Sequence, residues 1–152
     1  MTTPRLMICN HIDNGFCHDC VEFAFKGLVH EPIASYEVKL FLGSIHEERK
    51  WRFSKNDLIR CVGEFQDAKQ LENRPLCPVR IEETVFVSGT EYDEKGWICT
   101  VIQYPRISIA RKDIWQFMLD LADHLLDKFH QNRICVMDDS TVIMRENTRD
   151  NE

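Results

Sequence analysis

From Ile33 onward, apolar and polar positions alternate with period two. Ala34, Tyr36, Val38, Leu40 and Leu42 fall on one side, and Ser35, Glu37, Lys39 and Phe41 on the other. Side chains alternate across a strand, so the pattern predicts a half-buried strand over 33–42, closed by Gly43. A polar connection of mixed charge follows over 44–53, and then the period changes. Leu58, Val62 and Phe65, widened by Ile59 and Cys61, recur at helical spacing. Ser54 with Asp57 three residues later forms a capping box, which predicts a helix over 55–68.

Pro75 and Pro78 punctuate the chain, because each pushes its predecessor out of the helical region. A strand rich in Val, Ile, Thr and Phe is predicted over 79–88. Glu83 interrupts its apolar face of Val79, Ile81, Val85 and Val87, which calls for a bulge or an exposed edge. Residues 89–96 have the length of a hairpin loop, and 97–104 read as the return strand before Pro105. The strongest helix is predicted over 111–131, where Ile114, Trp115, Met118, Leu121, Ala122, Leu125, Leu126 and Phe129 recur at spacings of three and four. Two short strands over 133–137 and 141–145 close the pattern, with Asp138-Asp139-Ser140 as their turn.

Strand, helix, strand, strand, helix, strand is the split order of a ferredoxin-like α+β domain, here with one extra C-terminal strand. A two-layer sandwich follows, with both helices on one face of an antiparallel sheet. The second face would carry Phe41, Phe86, Ile98, Ile102 and Tyr104, an apolar set that something should cover. The N-terminal segment or a partner subunit are the candidates.

Residues 1–32 lack sustained periodicity and carry most of the metal-type side chains. Cys9, His11, Cys17 and Cys20 have the spacing C-x-H-x5-C-x2-C, which suits a tetrahedral Zn²⁺ site with Cys17 and Cys20 as a knuckle. Three thiolates and one imidazole fill the shell and leave no position for a reacting water, so the expected zinc is structural. His18 could stand in for His11, and Asp13 is less suited to a sulfur-rich shell. The predicted organisation is a zinc-binding N-terminal extension over 1–32, a ferredoxin-like domain over 33–146 and a polar tail over 147–152.

Composition narrows the classes. A chain of 152 residues with 43% apolar content supports one domain with an appendage. The net charge of −6 repels a phosphate backbone, which disfavours non-specific nucleic-acid binding. No apolar run approaches the length of a membrane span, and Met1-Thr-Thr-Pro-Arg leads into too short an apolar stretch for a signal peptide. Cysteines number seven, an odd count. Cys61, Cys77, Cys99 and Cys135 sit inside periodic segments and read as small buried hydrophobes, so a reducing, cytoplasmic setting is expected.

Little else carries chemistry. Arg49-Lys50-Trp51-Arg52-Phe53-Ser54-Lys55 interleaves cations with aromatics, as a phosphate-and-base surface would, although a solvated turn with one anchored Trp is the commoner outcome. Glu82, Glu83, Glu91, Asp93 and Glu94 gather around the central hairpin, where nothing local distinguishes acid–base chemistry from surface charge. His124 and His130 read as structural. Phosphate-binding glycine loops, nucleophile elbows and H-E-x-x-H helices are absent. The expectation is therefore a non-catalytic, zinc-binding interaction or regulatory protein acting through a protein partner or as a homodimer. The alternative is a nucleic-acid-binding accessory factor using the knuckle and the Arg49 to Lys55 stretch. A third possibility is an enzyme whose site is assembled from residues far apart in sequence.

Overall fold

The alternation after Tyr36 is realised as strand β1 (Glu37–Gly43), whose Val38, Leu40 and Leu42 are fully buried. The structure is a computed structural model that describes residues 32–46, 51–74, 76–105 and 109–147. The chain divides into two units, Met1–Ala34 and Ser35–Glu152, and the described elements belong to the second. The proposed ligands Cys9, His11, Cys17 and Cys20 lie outside the described residues.

After β1 come two short strands, β2 (Ile45–His46) and β3 (Trp51–Arg52), then helix α1 (Lys55–Leu71), β4 (Arg80–Val87) and β5 (Asp93–Ile102). Helix α2 (Arg111–Lys128) and strands β6 (Arg133–Met137) and β7 (Val142–Glu146) complete the order. The fold is mixed α+β, with a five-stranded sheet in the order β4-β5-β1-β6-β7. Every pairing in that sheet is antiparallel. No described helix is long and apolar enough to cross a membrane.

Local chemistry explains most boundaries. Ser54 caps α1: its Oγ accepts from the Asp57 backbone N–H at 3.2 Å, while the Asp57 carboxylate accepts from the Ser54 N–H at 2.9 Å. The helix outlasts the predicted residue 68 and ends only where Asn73 turns left-handed, at φ 58°. Its last apolar residue, Leu71, is 87% exposed, so burial leaves no mark on that final turn. Helix α2 ends at Lys128, short of the predicted 131, because His130 adopts φ 49°.

The largest departure is the start of β5 at Asp93, where a loop was expected. Val85 pairs with Lys95, Phe86 with Glu94 and Val87 with Asp93, so the ladder runs through charged residues and the connection shrinks. Ser88 N–H closes it on the Tyr92 carbonyl at 3.0 Å. No bulge forms at Glu83. Register is unbroken from Arg80 opposite Thr100 to Val87 opposite Asp93, and Glu83 is exposed on an edge strand. The connection over 44–53 also holds more order than expected, with Ile45 opposite Arg52 and His46 opposite Trp51.

A single core joins Val38, Leu40 and Leu42 of β1, Trp97, Cys99 and Val101 of β5, Ile134 and Val136 of β6, and the apolar stripes of both helices. Register places Phe41, Phe86, Ile98 and Ile102 on the other sheet face, as their alternation predicts. At the far end, Tyr36 ties β1 to the β6–β7 turn. Its Oη donates to Asp138 Oδ2 at 3.0 Å, and Asp138 Oδ1 accepts from the backbone of Ser140 at 2.9 Å and Thr141 at 2.8 Å. The Arg111 guanidinium lies 4.9 Å from the Tyr36 ring centre.

Burial, followed by the bond to Asp138, pushes the Tyr36 phenol up to about 12. An unfolded tyrosine ionises near pH ~10. The neutral phenol's contribution is therefore complete below about pH 10 and is lost as pH rises toward about 12. Urea unfolding should show Tyr36→Phe about 1 kcal/mol less stable than wild type at neutral pH. The variant should also lose stability less steeply between pH 10 and 12. Equal slopes would mean that Tyr36 is not the titrating group.

Candidate functional site in the β4–β5 hairpin

The β4–β5 ladder sets Glu83 opposite Trp97 and Val85 opposite Lys95, with Thr84 opposite Gly96 between them. Alternation along each strand puts Glu83, Val85, Lys95 and Trp97 on one face. Together with Thr84 and Gly96 they line a cavity of about 220 Å³. Two other cavities, about 40 and 10 Å³, have room for little more than water.

Trp97 is the fixed wall of this site. It is 6% exposed and its ring stacks on Phe53 at 5.0 Å, while Phe53 stacks in turn on Phe129 at 3.9 Å. The indole Nε1 is buried and has no hydrogen-bond partner among the described residues. Glu83 and Lys95 are exposed, and neither side chain has a hydrogen-bond or ion-pair partner among the described residues. Gly96 forms part of the lining because nothing larger fits: a Cβ there would lie 2.5 Å from the Leu42 carbonyl oxygen. The site thus combines a carboxylate, an ammonium group, an indole and an aliphatic wall. It can hold a small ligand that carries both charges.

The other singled-out residues have structural surroundings. Phe53 of the cation–aromatic run is a core residue, 2% exposed, and is not free to stack on a base. Arg52 is exposed, and 47–50 lie outside the described residues. Among the carboxylates, Glu82 pairs with Arg80 at 2.9 Å and Glu94 accepts from the Tyr92 hydroxyl at 3.1 Å. Asp138 spends its oxygens on Tyr36 and its own turn.

Burial pushes the thiols of Cys61 and Cys77 up to about 11 and that of Cys99 up to about 12, which keeps them protonated and poorly nucleophilic. His124 packs 5.3 Å from the Phe65 ring, and burial, then Lys128, lowers its pKa, favouring neutral imidazole. No cluster of three or more metal-type side chains occurs among the described residues.

Sequence reasoning placed Glu83 among the hairpin carboxylates but missed Lys95 and Trp97. The available signal was Glu83 itself, a charge at an otherwise apolar position of its strand.

No protein-family description matches the chain, and no curated protein matches its sequence. Its fold is similar to that of a phage SAM lyase in complex with S-methyl-5'-thioadenosine. That likeness has a TM-score of 0.56 at 12% identity and covers 78% of this chain and 96% of the lyase. The same kind of lyase in its apo state is similar at TM-score 0.55 and 13% identity, covering 77% and 94%. At this identity the likeness is one of fold.

The comparison corrects the expectation of a non-catalytic interaction or regulatory protein, and with it the nucleic-acid alternative, because both similar structures are of an enzyme. Missing motifs were weak grounds for that expectation. A site built from alternate positions on paired strands leaves no contiguous signature in the chain.

Proposed function

We propose that the chain is an enzyme that cleaves S-adenosylmethionine, with the β4–β5 cavity as part of its substrate site. The observation that carries the reading is the fold shared with a phage SAM lyase over 96% of that chain. A fold by itself hosts many chemistries, so the reading also leans on a cavity whose side chains suit a charged, partly apolar substrate. Lysis that releases S-methyl-5'-thioadenosine breaks the bond between the sulfonium sulfur and the amino-acid arm. Sulfur keeps the bonding pair and becomes a neutral thioether. The arm restores its valence either by closing on its own carboxylate or by losing a proton to form an alkene. Neither route needs a nucleophilic cysteine, in keeping with the raised thiols of Cys61, Cys77 and Cys99.

The test is to incubate the purified full chain with S-adenosylmethionine and follow release of S-methyl-5'-thioadenosine by chromatography and mass spectrometry. Turnover well above the protein-free control is expected. A chain that neither turns over S-adenosylmethionine nor binds it or S-methyl-5'-thioadenosine by calorimetry would end this reading.

We read the element order, with β5 and β1 central in the sheet, as the ferredoxin-like arrangement carrying β7 as an added edge. The organisation 1–32, 33–146 and 147–152 stays a proposal, as does a structural Zn²⁺ on Cys9, His11, Cys17 and Cys20, which the spacing alone supports. A native mass spectrum should show one zinc per chain, lost in Cys17→Ser. A cytoplasmic setting is supported by Cys61, Cys77, Cys99 and Cys135 all being free thiols. A partner protein or a second copy on the sheet face of Phe41 and Ile98 is supported by the apolar character of that face.

A further inference from the structure

We propose that Glu83 and Lys95 clamp the amino-acid arm of the substrate, Glu83 taking the α-ammonium group and Lys95 the α-carboxylate, with Val85 and Trp97 beneath the methylenes. The inference rests on the reading of the chain as an S-adenosylmethionine-cleaving enzyme and assigns the binding roles within it.

The first support is a contrast on the same sheet. Two pairs of opposite charges on its strands close onto each other, Arg80 onto Glu82 at 2.9 Å and Lys39 onto Glu37 at 3.5 Å. Glu83 and Lys95 face one cavity from adjacent strands, and neither has an ion-pair partner among the described residues. They are diagonal neighbours in the ladder, since Glu83 is opposite Trp97 and Lys95 is opposite Val85. Diagonal positions lie roughly 7–8 Å apart, too far for a direct contact at their bases but well placed to flank a group that carries both charges. An α-amino acid is such a group: its ammonium would face the carboxylate and its carboxylate the lysine.

The second support is size. A cavity of about 220 Å³ is smaller than the roughly 300–1,000 Å³ of whole small-molecule sites. It suits the arm and leaves the adenosine half to be bound outside it. The clamp should then matter for the substrate and not for the product that has lost the arm.

Calorimetric titration of the full chain with S-adenosylmethionine and, separately, S-methyl-5'-thioadenosine tests this in wild type, Glu83→Gln and Lys95→Met. Both replaced residues are exposed, so unchanged melting curves confirm that the variants fold. Each variant should bind S-adenosylmethionine about 10–100-fold more weakly, as expected for loss of one charge-assisted hydrogen bond. Affinity for S-methyl-5'-thioadenosine should stay within about twofold. Lys95→Met should also lose the wild-type preference for S-adenosylmethionine over its decarboxylated analogue. Variants that weaken both ligands equally, or neither, overturn the clamp while leaving the proposed activity standing. A wild-type chain that binds neither ligand removes the activity and the clamp together.

Discussion

Phe53→Ala should cost the folded domain about 3–5 kcal/mol, the usual loss for truncating a fully buried aromatic. Phe53 is 2% exposed and lies between two rings, with centroids 5.0 Å from Trp97 and 3.9 Å from Phe129 at interplanar angles of 30° and 16°. Its removal takes away apolar burial and two stacking contacts at once, and the surrounding strands and helix end can only partly collapse into the space. With a urea m-value of about 2 kcal/mol/M, the unfolding midpoint should fall by about 2 M. Domains of this kind are stable by only ~5–15 kcal/mol, so the variant should be close to unfolding at physiological temperature. Phe53→Leu keeps most of the volume and should lose less than half as much. A change within about 0.5 kcal/mol for Phe53→Ala is what an exposed nucleic-acid-contacting aromatic would give, and it would contradict the core placement. Because Phe53 supports Trp97, Phe53→Leu should also weaken the S-adenosylmethionine binding proposed for the hairpin cavity.

Gly96→Ala is expected to destabilise by about 2–3 kcal/mol, while Gly63→Ala, the same chemical change, should stabilise by about 0.5–1 kcal/mol. The difference is space. A methyl group at Gly96 meets the Phe86 ring and the backbone carbonyl of Leu42, and the carbonyl belongs to the central strand and cannot move cheaply. At Gly63, within α1, nothing lies within 4 Å of the added carbon, so the gain in helix propensity is uncompensated by strain. Thermal unfolding of both variants side by side makes the comparison, and a neutral Gly96→Ala would show that β1 and β5 can move apart there without loss. The same close approach holds Thr84 and Gly96 at the cavity wall, so the variant that folds least well should also distort the site most.

The corrected functional expectation follows from where the candidate chemistry sits. Glu83, Lys95 and Trp97 come from two strands, and each is unremarkable in its own segment: a charge on an edge, a charge in an expected loop, an aromatic in a core strand. None forms a motif with its sequence neighbours, so a scan for contiguous signatures passes over them. The cation–aromatic run, which does stand out in the sequence, offers no such surface at Phe53, which is core.

Periodicity by itself determined the two helices, most of the strands and their buried faces. Val38, Leu40 and Leu42, the Ser54 cap, the stripe from Ile114 to Leu126 and the buried thiols of Cys61, Cys77 and Cys99 were all legible, because each depends on neighbours within a turn or two of chain; Cys135, expected to be buried with them, is only half-buried. Tertiary structure alone decided the strand order, the extension of β5 through Asp93, Glu94 and Lys95, and the meeting of Glu83 with Trp97. The physical reason is that charged residues on an edge ladder are held by cross-strand hydrogen bonds and by pairing with Val85, Phe86 and Val87, partners on the other side of the hairpin turn. Local propensity reads such residues as loop, and only the register shows which charges share a face.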